Sequence, residues 1–190
     1  MQEMMLARAK ALLQSGDVQR VLGWQTGEFV YDVTPAAFET AEELDAKFVY
    51  NDFCGSNLSK YLVKESRKEG RVLVFLKPCD TYSFNQLIKE HRIARENIYV
   101  IGVPCAGKTD GETLKALGLK GILGVKDAGD SFTVETLYGE KTVSKQEALP
   151  ERCRSCKSHK HMVYDELLGE EGEVLDSHRF DMVEKIESMS

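Results

Sequence analysis

No run of roughly 18 apolar residues occurs in the chain, the length a membrane-spanning helix requires. The opening segment MQEMMLARAKALLQSG mixes charge with apolar residues at helical spacing, so it reads neither as a membrane span nor as a secretory signal. Basic runs are missing as well. With a formal net charge of -6 and no interleaved basic and aromatic stripe, nucleic acid is excluded as an expected partner. No GxGxxG run is present to mark a dinucleotide site of the Rossmann type. The cysteine count is five, an odd number in a chain without an export signal, so a disulfide framework is not expected and the thiols are read as reduced, free or metal-bound. These absences describe a cytoplasmic protein, or one that faces the cytoplasm on a larger complex, with no direct membrane insertion.

What is present suffices for a core. At 190 residues and 42% hydrophobic composition, one domain with a tail is expected: residues 1–169 as an α/β domain and residues 170–190 as an acidic tail or docking helix. Met5, Ala9, Leu12 and Leu13 recur at helical spacing and predict an opening helix that Gly16 can end. VLGW (21–24) and FVYDV (29–33) predict an edge hairpin. From residue 55 the pattern alternates. GSNLSKYLVKESRKEG and TYSFNQLIKEH have helical period, whereas RVLVFLK and NIYVIGV are continuous apolar strands. Such alternation predicts a mostly parallel sheet with helices on both faces. GILGVKDAG and SFTVETLYG then predict a small antiparallel excursion, and the acidic C-terminal segment is helical at best.

Both apolar strands run directly into Pro-Cys, as Pro78-Cys79-Asp80 and Pro104-Cys105-Ala106-Gly107. In open α/β sheets ligands bind beyond the carboxyl ends of the strands, which places these two thiols where such folds carry their active groups. Arg152-Cys153-Arg154-Ser155-Cys156-Lys157 adds a CxxC whose cationic neighbours favour thiolate and offset the charge of a thiolate-bound cluster. Cys79, Cys105, Cys153 and Cys156 form a four-thiolate set. By residue type alone that set suits an iron–sulfur cluster, a structural zinc ion in an interaction module, or dithiol redox chemistry. A single buried cysteine is as often a small apolar packing residue. Cys54 lies apart, in the polar loop Asn51-Asp52-Phe53-Cys54-Gly55-Ser56-Asn57. Opening a helix, the loop can offer amides to a nucleotide phosphate through Asn51, Cys54, Gly55, Ser56 and Asn57, or it can simply be capped by Ser56 or Asn57. His159 and His161 follow the CxxC as solvated side chains or as neighbours of a metal group.

In this order the segments NDFCGSNL, KPCD, IGVPCAG and CRSCKSH resemble the beta-subunit family of deazaflavin-reducing hydrogenases and related formate dehydrogenases, over about residues 48–169. The likeness extends to a shorter branch of iron–sulfur proteins associated with hydrogenase or heterodisulfide reductase. The resemblance implies a 4Fe-4S cluster on Cys79, Cys105, Cys153 and Cys156. It implies electron transfer within a multi-subunit oxidoreductase, with partner subunits that carry ferredoxin-like clusters or flavin. Larger members carry FAD. Here Cys54 replaces a small polar residue of the family loop, so FAD stands as a candidate second cofactor rather than an implied one. The chain has no repeated CxxCxxC run, and the resemblance therefore places further clusters on the partners.

Overall fold

The segment VLVFL is built to be covered on both sides, and it becomes the middle strand of the larger sheet. In the computed structural model, which describes residues 1–172 and 180–189, β3 (Val72–Leu76) has all five side chains buried. Around it, β1 (Arg20–Thr26), β2 (Val33–Phe38), β4 (Ile98–Gly102) and β8 (Glu166–Leu167) complete a five-stranded sheet of order β2-β1-β3-β4-β8. β1, β4 and β8 run parallel to their inner neighbours, with Val72 opposite Ile98 and Leu76 opposite Gly102; only β2 is antiparallel. The sheet is therefore mostly parallel, as continuous apolar strands require when both faces are buried.

α1 (Gln2–Gln14) buries Met5, Ala9 and Leu12 against the main core, and α4 (Pro78–Lys89) buries Thr81 and Phe84. α2 (Ala41–Lys47) opens on Thr40, whose hydroxyl accepts from the Glu43 amide at 3.2 Å. A second, three-stranded antiparallel sheet of β5 (Ile122–Asp127), β6 (Ser131–Thr136) and β7 (Gly139–Ser144) forms a smaller core. In that core α5 (Gly111–Ala116) contributes Leu114, and the loop at residue 53 contributes Phe53.

Local differences from the sequence reading have local causes. The second hairpin strand begins at Val33 rather than Phe29, because residues 27–32 form the turn, closed by the Gly27 amide on the Asp32 carbonyl. The helix expected from residue 55 shrinks to a 3-10 turn at Ser59–Tyr61 and α3 (Leu62–Glu65), a single turn. Asn57 and Ser59 bond to one another there, with the Asn57 side chain accepting from both the amide and the hydroxyl of Ser59, which holds the entry in a capped turn. β7 was not anticipated, since GEKTVS is mostly exposed and carries little apolar alternation. Within the expected tail, α7 (Asp181–Glu187) is helical and exposed, and residues 173–179 and 190 lie outside the described residues. Among the described residues, no helix is long and apolar enough to cross a membrane.

Candidate functional site

β3 delivers Cys79 not in a loop but in the first turn of α4. Lys77 is the N-cap residue, Pro78 takes the first helical position with its fixed φ, and Asp80 accepts from the Lys77 amide at 3.3 Å. The Lys77 ammonium also pairs with Asp80 at 2.7 Å and donates to the Ser56 carbonyl at 3.1 Å, with both side chains of the pair almost wholly buried. A twelve-residue helix thus directs its amide end, and the positive end of its dipole, toward the turn that holds Cys79.

β4 ends beside it. The Val103 amide donates to the Leu76 carbonyl at 2.9 Å, which fixes the two strand ends together before the chain turns through Pro104 and Cys105. Gly107 has φ +116, and a Cβ there would strike Leu149 at 2.5 Å, so glycine is required at this turn. The nearby Gly107 amide works against the rise that burial gives the Cys105 thiol.

The CxxC reaches the same place from the far side of the sequence. Pro150 starts α6 (Glu151–Arg154), a single turn that carries Cys153, and Cys156 follows with its amide on the Cys153 carbonyl at 3.3 Å. Arg152 ties this turn to Asp110 at 2.9 Å, and the His159 ring meets the Cys156 carbonyl at 2.9 Å. His161 is the stronger anchor. Its side chain is fully buried, one ring nitrogen lies 3.1 Å from the Leu76 carbonyl, and the other lies 3.1 Å from Glu171. Gly102 makes room for it: a Cβ at that position would come within 3.0 Å of the imidazole.

Cys79, Cys105, Cys153 and Cys156 line one cavity of about 350 Å³. None of the five cysteines forms a disulfide, and Cys54 alone among them is fully buried. The Cys79 residue keeps exposed surface, yet the protein around its sulfur, with Asp80 adding to the effect, raises its thiol, and burial raises Cys105. A metal group takes cysteines as thiolates, so binding one here would release their protons. Among the described residues, no three His, Cys, Asp or Glu side chains converge on a point where one metal ion would sit.

The loop at 51–57 divides. Gly55 and Asn57 border the cavity, and Gly55 and Ser56 also border an adjoining hollow with Asp110 and Arg152. Cys54 turns away into the main core, its sulfur accepting from the Asn51 amide at 3.3 Å. The Asn51 side chain accepts from the Phe53 amide at 2.9 Å, while the Cys54 and Gly55 amides go to the Asn51 and Phe53 carbonyls. Most of the loop's amides are therefore used within it. Lys77, Asp80 and Lys108 line the cavity too and had no role in the sequence reading, whereas Arg152 was read there as a cationic neighbour of Cys153. The Lys-Pro-Cys-Asp spacing, which puts lysine and aspartate one helical turn apart around the cysteine, is the signal that could have found the first two.

No protein-family model matches the chain. It is 31% identical over 104 residues to the beta subunit of an F420-dependent formate dehydrogenase of Methanococcus maripaludis, covering 55% of this chain and 27% of the relative. To the corresponding beta subunit of Methanocaldococcus jannaschii it is 29% identical over 162 residues, covering 78% of this chain and 42% of the relative. The chain is thus a distant homologue of these beta subunits and spans less than half their length. Its fold matches a chain of the F420-reducing nickel–iron hydrogenase complex of Methanosarcina barkeri, with a TM-score of 0.64 at 15% identity, covering 82% of this chain and 59% of that one.

Proposed function

We propose that this chain is an iron–sulfur electron-transfer subunit of a multi-subunit oxidoreductase, holding one 4Fe-4S cluster on Cys79, Cys105, Cys153 and Cys156. The observation that carries the reading is the meeting of four free thiols, two from adjacent strand ends and two from a distant CxxC, on a single cavity. Homology to formate dehydrogenase beta subunits supports the same class of function. The size of the space favours a polynuclear group over zinc, whose tetrahedral site would draw the sulfurs to within about 3.8 Å of one another.

Such a cluster supplies one-electron storage and release. The protein's part is to hold and tune it. Cys79 and Cys105 follow the ends of two paired strands, and the Gly107 amide near the Cys105 sulfur favours thiolate there. Lys108 and Arg152 place positive charge around the thiolates, and the Lys77–Asp80 pair borders them. The partner is a redox subunit with its own clusters or flavin. Met162 and Tyr164 are exposed just beyond the CxxC, and the Met162 amide bonds to Thr81 in α4, so apolar surface for docking lies close to the thiols.

Anaerobic purification with iron, sulfide, zinc and flavin measured on one sample tests the proposal. Near-stoichiometric iron and sulfide are expected, with broad absorbance near 400 nm, and serine at any of the four positions should lower both. Cys54→Ser should retain them. Zinc without sulfide, or full iron in two of the four serine variants, would overturn the assignment. Flavin is measured in the same sample because Gly55 and Asn57 border the cavity.

A further inference from the structure

Three cations line the cavity, and two of them have a carboxylate of their own. Lys77 is locked to Asp80 at 2.7 Å, so the pair is nearly neutral seen from a distance. Arg152 is paired with Asp110 at 2.9 Å, and its side chain is 60% exposed, where solvent screens it. Lys108 differs from both. The residue is 7% exposed, its ammonium donates to the Asn51 carbonyl at 2.9 Å and sits 4.0 Å from the centre of the Tyr50 ring, and among the described residues no carboxylate lies within ion-pair distance of it. Burial pulls its pKa below the ordinary value, which is the cost of holding a charge there. Cys105, then Cys54 and Asp52, push it the other way, and the carbonyl and the ring face contact the ammonium directly.

We propose that Lys108, a buried ammonium beside Cys105 with no carboxylate of its own, is the fixed positive charge that raises the reduction potential of the group bound by the cavity's thiols. The inference rests on the cluster reading above. A cluster held by thiolates is anionic and gains one further negative charge when it accepts an electron from a low-potential donor such as dithionite. No bond forms or breaks. A neighbouring cation stabilises the reduced state more than the oxidised one, and the effect is several times larger where the effective dielectric constant is about 20 than in water at about 80. Lys108 is therefore a positioning residue for charge. Lys157, exposed and next to Cys156, carries the same charge in solvent and should do far less.

The test is a redox titration of the full-length protein, purified anaerobically, with dithionite as reductant and the electron paramagnetic resonance of the reduced cluster as the signal. Lys108→Met, which keeps most of the apolar stem, and Lys108→Gln should both shift the midpoint to more negative potential at unchanged iron content. The shift should exceed that of Lys157→Gln, and Lys108→Arg should restore most of it. An unchanged midpoint in a fully loaded Met or Gln variant overturns the inference and leaves the cluster reading standing. A wild-type sample without iron and sulfide overturns both. If Lys108→Met fails to fold, Lys108→Gln alone decides.

Discussion

The two halves of the thiol set are held by different kinds of structure. Cys79 and Cys105 follow the ends of β3 and β4, whose paired backbones fix the first turn of α4 and the Cys105 turn to each other. Cys153 and Cys156 sit on a one-turn helix and the loop after it, held by a partly exposed ion pair and by one buried histidine. The first pair is positioned by the core, the second by a few polar contacts. A group that binds all four must therefore do most of its ordering on the CxxC side.

The contrast can be broken from either side. The largest effect is expected at Phe75, fully buried in β3 with its ring centre 5.7 Å from that of Phe48. Phe75→Ala should cost about 3–5 kcal/mol in denaturant unfolding and carry both halves with it. A cost below about 1 kcal/mol would mean that the sheet is not the scaffold for the thiols.

His161→Ala comes next. Losing contacts to the Leu76 carbonyl and Glu171 should cost about 1–3 kcal/mol. Hydrogen exchange should rise across residues 156–164 while β3 and β4 stay protected. Equal loosening of the strands would show that the histidine supports the whole sheet edge rather than the CxxC segment.

The smallest effect concerns pH. Hydrogen bonds from His161, first from its amide and then from its ring, hold the Glu171 carboxyl below the ordinary carboxylate range. The unfolded chain thus binds a proton before the folded one does. The contribution is fully present above the ordinary value of about 4.3 and is lost as the pH falls through the lowered value. Glu171→Gln should flatten the acid side of the thermal-stability profile, and an unaltered profile would remove Glu171 from the latch.

The same division governs what could be read from sequence. β3 and β4 were legible because unbroken apolar runs such as VLVFL have one comfortable setting, a doubly covered parallel strand, and because Pro-Cys follows each strand directly. The CxxC was picked out by its spacing, which left iron–sulfur, zinc and dithiol chemistry open. What could not be read depends on contacts between distant residues. His161 was weighed as a solvated side chain or a neighbour of a metal group, yet its ring is buried, because Gly102, far away in sequence, leaves the space for it. The Cys54 loop looked like a helix start, and its own asparagines consume the donors that a helix start would offer. Nothing in the sequence marks Lys77 and Lys108 as buried, yet the fold closes over both.

Lys77 also lies 4.8 Å above the ring of Trp24, which is fully buried, stands 5.5 Å from Tyr50, and is the single tryptophan of the chain. All tryptophan emission from this protein therefore originates one side chain away from the thiol cavity, with no second indole to dilute it. A chromophore in that cavity that absorbs where indole emits will quench the signal by energy transfer. Loading, loss and oxidative breakdown of such a group can then be followed in real time by intrinsic fluorescence, on the unmodified protein.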